Sequence, residues 1–353
     1  MAMGKTGSRL TVAASVTGAA VLAAGGWAAR NLKAYDVARA RTRAAGFVEE
    51  QVRIDGSTIN YARGPIGNAP PLLLIHGQGV DWQNYAPVLP ALAEHFSVFA
   101  VDVYGHGGSD RVPEKYSATA IGADLARFVE DVAGTPAVVS GHSSGGQLAA
   151  WLAGNRPDLV RAAVLEDPPL FTTLLPRAEK TWNWVDLATT CHTFLQSGET
   201  DWVAHSFVRQ KLWDFFGDGA DRIVRAGLKR HAKHPGRPIR LFFMPPGWND
   251  MQRAMLNYDP RFGDAFYTGR WDHGFDHEGT LRGIEAPTTL VHANWKYGTG
   301  GVLQGAIDDD DAARIASLIK DVELVEVDSG HDVHGEHPDR FVELVRSIDD
   351  RSR

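Results

Sequence analysis

The chain has 353 residues, 44% of them hydrophobic and 22% charged, with a net charge of −7 at pH 7. That balance belongs to a globular protein of about two domains' length, or one large domain carrying an insertion. The acidic net charge, with no dense basic run, excludes the usual nucleic-acid partner, and the single cysteine, Cys191, excludes an intramolecular disulfide or a cysteine-rich metal site.

Residues 1–44 are expected to lie outside the fold. Lys5 and Arg9 precede an uncharged stretch, Leu10–Ala29, and Arg30, Lys33, Arg39, Arg41 and Arg43 follow it. As a helix such a stretch would span roughly 30 Å, the thickness of a bilayer core. Its Ala, Gly, Thr and Ser content makes it a weak signal-anchor or export signal. The downstream basic residues favour a membrane tether through residues 10–29, while export and a cytoplasmic location stay open.

Val52–Arg63 alternates around Asp55-Gly56 and predicts a hairpin. Pro71–Gly77 and Ser97–Asp110 each begin as a continuous apolar run, the pattern of a strand buried on both faces. A helix follows each, the second with Ser117 as its N-cap. The next strand ends at Val138–Gly145 in Gly-His-Ser-Ser-Gly, a helix follows, and Arg161–Pro169 is a strand stopped by two prolines. This alternation implies a mostly parallel, doubly wound α/β sheet. It breaks over residues 170–280, where six of the ten tryptophans lie, and resumes with strand Ala286–Asn294, a helix, a strand ending near His331 and a final helix. Residues 45–169 and 281–353 are therefore the core, and 170–280 a helical cap inserted above the strand ends.

Gly141 and Gly145 bracket Ser143 as Gly-x-Ser-x-Gly, the spacing of a sharp strand-to-helix turn that exposes a nucleophile. Acyl transfer also needs N–H groups where negative charge develops. The backbone of Gln78, in His76-Gly77-Gln78-Gly79, and of Ser144 can supply them. A base is expected late in the chain, and His331 in Asp328–Pro338 fits. The orienting acid has two locations. After the strand ending at Asn294 no carboxylate occurs before Asp308, whereas Glu166 and Asp167 stand at the exit of the strand behind the nucleophile helix. Asp167 is favoured, with Asp308 in reserve. His331, His334 and His337, and His273 and His277 near Asp272, Asp276 and Glu278, are read as polar turns rather than metal sites. No metal and no cofactor is expected. His142 is read as a local packing or hydrogen-bonding residue.

His76-Gly77, Asp102–Asp110, Gly141–Gly145 and Gly330-His331 together resemble the α/β-hydrolase superfamily over about residues 50 to 350. Gly141–Gly154, Ala162–Phe171 and Tyr258–Gly269 are similar to segments of bacterial zearalenone lactonases. That resemblance implies an acid at the position of Asp167 and an acyl-enzyme on Ser143, since the epoxide hydrolases and dehalogenases of the superfamily use aspartate there. The cap and the loop at Gln78 depart from the lactonases, so their substrate does not transfer. The expected activity is hydrolysis of a small hydrophobic carboxylic ester or lactone, with Trp182, Trp184, Trp213 and Trp248 as candidate pocket residues. Carbon–carbon bond hydrolysis or cofactor-free peroxidase chemistry on the same triad, and a non-catalytic ligand receptor, are the alternatives. The oligomeric state is not legible.

Overall fold

The computed structural model describes residues 7–65, 67–134 and 136–352, with side chains from Gly25 onward. Eight strands form one sheet: β1 (Val48–Ile54), β2 (Ser57–Arg63), β3 (Pro71–Ile75), β4 (Ser97–Val101), β5 (Ala137–His142), β6 (Val160–Glu166), β7 (Thr288–His292) and β8 (Val322–Glu326). Their spatial order is β1-β2-β4-β3-β5-β6-β7-β8. The hairpin β1–β2 is antiparallel, as is β2 to β4, and every later pairing is parallel. This is an α/β-hydrolase fold.

The apolar runs follow from this placement. Leu73, Ile75, Val101 and Val139 enter the hydrophobic layer on one face, while Leu72, Leu74, Ala100 and Val138 enter the other. A central strand with helices on both sides must be apolar at every position, not at alternate ones. Ser117 caps helix Ala118–Phe128, its hydroxyl accepting from Ala120 N at 3.2 Å. Helix Ser144–Asn155 follows β5 directly.

Between β6 and β7 lie cap helices Thr189–Ser197, Trp202–Arg209, Ala220–Lys233, Pro246–Ala254 and Pro260–Tyr267. Part of the cap has its own small core of Val203, Phe207, Trp213 and Ile239. Helix His277–Arg282 already rejoins the core, since Asn155 Nδ2 donates to Thr280 Oγ1 at 3.2 Å. This helix straddles the boundary expected at 280, and β7 follows it.

The expectation that residues 1–44 stand apart from the fold requires correction. Among the described residues, Gly7–Ala44 form one helix whose second half is docked on the body of the protein. Tyr35, Arg39 and Thr42 are buried. Arg39 Nη1 donates to Asp250 in the cap at 2.5 Å, Arg240 Nη1 reaches Asp36 at 2.6 Å, and Thr42 Oγ1 donates to Ala86 O in the core at 3.2 Å. The basic residues beyond Ala29 are therefore partly cap contacts. Among the described residues no helix is long and apolar enough to cross a membrane. The side chains of most of Leu10–Ala29, on which the tether rests, lie outside the described residues.

Candidate active site

Ser143 sits between β5 and helix Ser144–Asn155 with φ 54° and ψ −123°, a backbone conformation that L-residues rarely adopt. The two glycines are explained by close approach. A Cβ on Gly141 would lie 2.0 Å from Gly145 O, and one on Gly145 would lie 2.1 Å from Ile75 O. The turn can be this tight only where both side chains are missing. Ser143 N donates to Glu166 O at 2.9 Å, which ties the turn to the end of β6.

At that end two acids diverge. Glu166 is the last residue of β6, and Asp167 follows at φ +44°, so their carboxylates leave on different sides. Each holds a histidine of the same late loop. His331 Nδ1 donates to Asp167 Oδ2 at 2.6 Å, and His334 Nδ1 donates to Glu166 Oε2 at 2.9 Å. Burial alone would raise the pKa of Asp167, but the nearby His292, the hydrogen bond from His331 and the charge of both rings bring it to about 2. Burial also opposes a charge on His331, yet its bond to Asp167 leaves its pKa raised.

The neighbouring imidazoles differ in charge. His334, fully buried, has a pKa raised to about 9: desolvation is outweighed by Asp332 and Glu166. His142 is pushed down to about 3, first by burial and then by His331. As a neutral ring it donates from Nε2 to His331 O at 2.9 Å, steadying the backbone of that loop. His142, Glu166 and Asp332 bring ligand-type atoms within 4.8 Å of one another. Both carboxylates, however, already face a cation, protonated His334, at 2.9 and 3.0 Å.

Ser143, Ser144, Gln78 and His331 line one cavity of about 460 Å³ beneath the cap. Trp182, Trp184, Trp248, Met251 and Phe266 are among its walls. Trp213 is not. It is packed inside the cap, 5.0 Å from the Phe207 ring and 6.2 Å from Trp248, with Nε1 donating to Phe207 O at 2.5 Å. Tryptophan count could not separate wall from core, because indole serves both. The Gln78 side chain donates to Tyr258 OH at 2.8 Å.

Asp308, the reserve acid, is engaged elsewhere. It caps helix Asp309–Leu318 in a capping box with Asp311 and accepts from Tyr297 OH at 2.6 Å. In the other histidine cluster, His277 Nε2 donates to Asp272 at 2.8 Å while its Nδ1 accepts from Phe171 N at 2.9 Å. Asp276 caps a helix through Gly279 N, and Glu278 pairs with Arg282 at 2.9 Å. Sequence reasoning missed His292, at the end of β7, whose Nδ1 lies 3.8 Å from Asp167 Oδ1. It stands inside the strand whose following loop was read for a carboxylate, and a lone histidine at a strand end carries no signal in sequence.

The model of the alpha/beta hydrolase family matches residues 72–344. An esterase of Mycobacterium tuberculosis is 28% identical over 309 residues, 86% of this chain and 90% of that protein. A soluble epoxide hydrolase of a Corynebacterium species is 28% identical over 160 residues; the match spans 44% of this chain and about half, 53%, of that protein. Among solved structures, a bacterial membrane phospholipase A aligns with a TM-score of 0.62 at 23% identity, over 98% of this chain and 99% of that one. The chain belongs to the alpha/beta hydrolase family.

Proposed function

We propose that the protein is a serine hydrolase that cleaves a hydrophobic carboxylic ester or lactone through an acyl-enzyme on Ser143. The observation that carries this reading is the His331–Asp167 pair, 2.6 Å apart, with His331 lining the same cavity as a serine held in a strained turn. His331 takes the Ser143 proton as Oγ attacks the carbonyl carbon. The oxyanion is met by the N–H groups of Gln78 and Ser144. Collapse of the tetrahedral adduct breaks the bond to the alcohol oxygen, which receives the proton from His331. Water, deprotonated by His331, then attacks the ester carbonyl on Ser143; collapse breaks the bond to Ser143 Oγ, which receives the proton back from His331, and the acid is released. From a lactone the released alcohol stays attached to the product. Asp167 stays ionised throughout and keeps the proton of the neutral ring on Nδ1, leaving Nε2 as the base.

The aromatic and apolar walls suit a bulky acyl or alcohol group, which they would bury away from water. An esterase as a relative over most of the chain supports ester chemistry. The comparisons bring out esterases and other hydrolases rather than zearalenone lactonases, and the resemblance read from the sequence is reason only to keep lactones among the substrates tested. The test is a panel of aryl esters, lactones and amides offered to the full chain and to Ser143→Ala. Hydrolysis of at least one ester or lactone class, lost in Ser143→Ala, is the expected result. Tight binding of a ligand without turnover by wild type would instead favour a receptor.

A further inference from the structure

Asp167 stands between two imidazoles. His331 occupies its Oδ2, and on the other side His292 faces Oδ1 from 3.8 Å. His292 is buried, at 4% exposure, and its Nδ1 has no hydrogen-bond partner. Its Nε2 lies 3.1 Å from Asp309 Oδ1, which also accepts from Trp295 Nε1 at 2.5 Å. A ring with a carboxylate at each nitrogen has nothing to gain from a lone pair on either. The doubly protonated form suits both partners. The oxygen it faces, Asp167 Oδ1, otherwise takes only a long bond of 3.5 Å from Ala293 N, so the buried ring nitrogen and the carboxylate are placed as an ion pair.

We propose that His292 is a positioning residue of the site: as an imidazolium it shares the charge of Asp167 and lowers the affinity of His331 for its proton. The catalytic consequence rests on the serine-hydrolase reading; the coupling between the two rings does not. The charged groups around His292 are Asp167 from the exit of β6 and Asp309 from the start of helix Asp309–Leu318, with Asp308 behind, held by Tyr297 and Arg177. Burial disfavours charge on His292, but the negative charges of Asp167 and Asp309 and the hydrogen bond to Asp309 outweigh it, and its pKa is raised. The sign follows. With His292 cationic, protonating His331 places a second positive charge on the far side of one carboxylate. With a neutral residue there, Asp167 serves His331 alone and the His331 pKa rises.

The experiment is the pH dependence of kcat/KM for wild type, His292→Asn and Asp309→Asn, paired with NMR titration of the His331 ring in the same proteins. The expected result for His292→Asn is an acid limb moved to higher pH by about 0.5–1 unit, with the alkaline plateau within about tenfold of wild type. Asp309→Asn removes an exposed carboxylate, 76% accessible, and should move the limb in the same direction by less, because His292 then holds its proton more weakly. If His292→Asn does not fold, the shift in Asp309→Asn decides the matter. An acid limb and a His331 titration unmoved in the folded variants, or moved to lower pH, overturn the proposal. If wild type has no Ser143-dependent turnover, the proposed function falls, and the NMR titration alone still decides whether the rings are coupled.

Discussion

Changing Asp167 to asparagine alters almost nothing in shape and removes the charge on which the proposed chemistry turns. Asp167 is 1% exposed, ionised with a pKa of about 2, and 2.6 Å from His331 Nδ1. An amide nitrogen turned toward His331 requires Nδ1 to accept, which puts the ring proton on Nε2, the atom that must receive the Ser143 proton. An amide oxygen turned toward it keeps the tautomer but cannot stabilise the imidazolium. Loss of such a carboxylate lowers turnover by about 10⁴-fold, or about 5.5 kcal/mol in the barrier. Folding stability near neutrality falls by less, about 2 kcal/mol, from the displacement of the Asp167 pKa below the usual 3.8. The assay is kcat and KM on the best ester of the panel, with circular dichroism to show that the variant folds. Asp308→Asn is the control: asparagine caps a helix about as well as aspartate, so only the charge at the helix N-terminus and toward Arg177 is lost, and a cost of at most about 1 kcal/mol in stability and little change in kcat are expected. A folded Asp167→Asn that keeps turnover within tenfold of wild type, or an Asp308→Asn that loses it, refutes this assignment of the acid.

Other outcomes follow from the same geometry. Because the His334 pKa is raised to about 9, its pairing with Glu166 and Asp332 stabilises the fold fully below the unfolded value near 6.5 and is lost as pH rises through 9. Denaturant midpoints should therefore fall between pH 7 and 10 by the equivalent of about 3 kcal/mol, and Glu166→Gln should flatten that slope; an unchanged slope would contradict the pair. Gly145→Ala drives a Cβ against Ile75 O and should cost about 3 kcal/mol or more or prevent folding, measured as a loss of Tm or of soluble protein. Trp248→Ala should change KM for bulky esters more than for acetates, whereas Trp213→Ala should lower the melting temperature without a comparable shift in chain-length preference.

The parallel sheet was legible because its central strands are buried on both faces and read as unbroken apolar runs. The serine turn was legible because its glycines answer a steric demand visible in their spacing. Asp167 was separable from Glu166 only as far as neighbouring residues must diverge; which of them meets His331 depends on the backbone reversing at φ +44°. His292 and the Glu166–His334 pair were not legible, since each joins residues distant in the chain through three-dimensional contact alone. The docked helix before residue 45 was misread for a related reason. Its arginines look like the flank of a membrane segment, and only the positions of Asp36 and Asp250 show Arg240 and Arg39 to be partners across the cap.

The central claim is that His331, oriented by Asp167, makes Ser143 a nucleophile. It is tested most directly by reacting the full chain with a fluorophosphonate and mapping the adduct by mass spectrometry. One adduct on the peptide carrying Ser143 is predicted, absent in Ser143→Ala and formed at least about 100-fold more slowly in His331→Ala, the order expected when a general base is removed. No adduct on wild type, an adduct on another residue, or an undiminished rate in His331→Ala would contradict it.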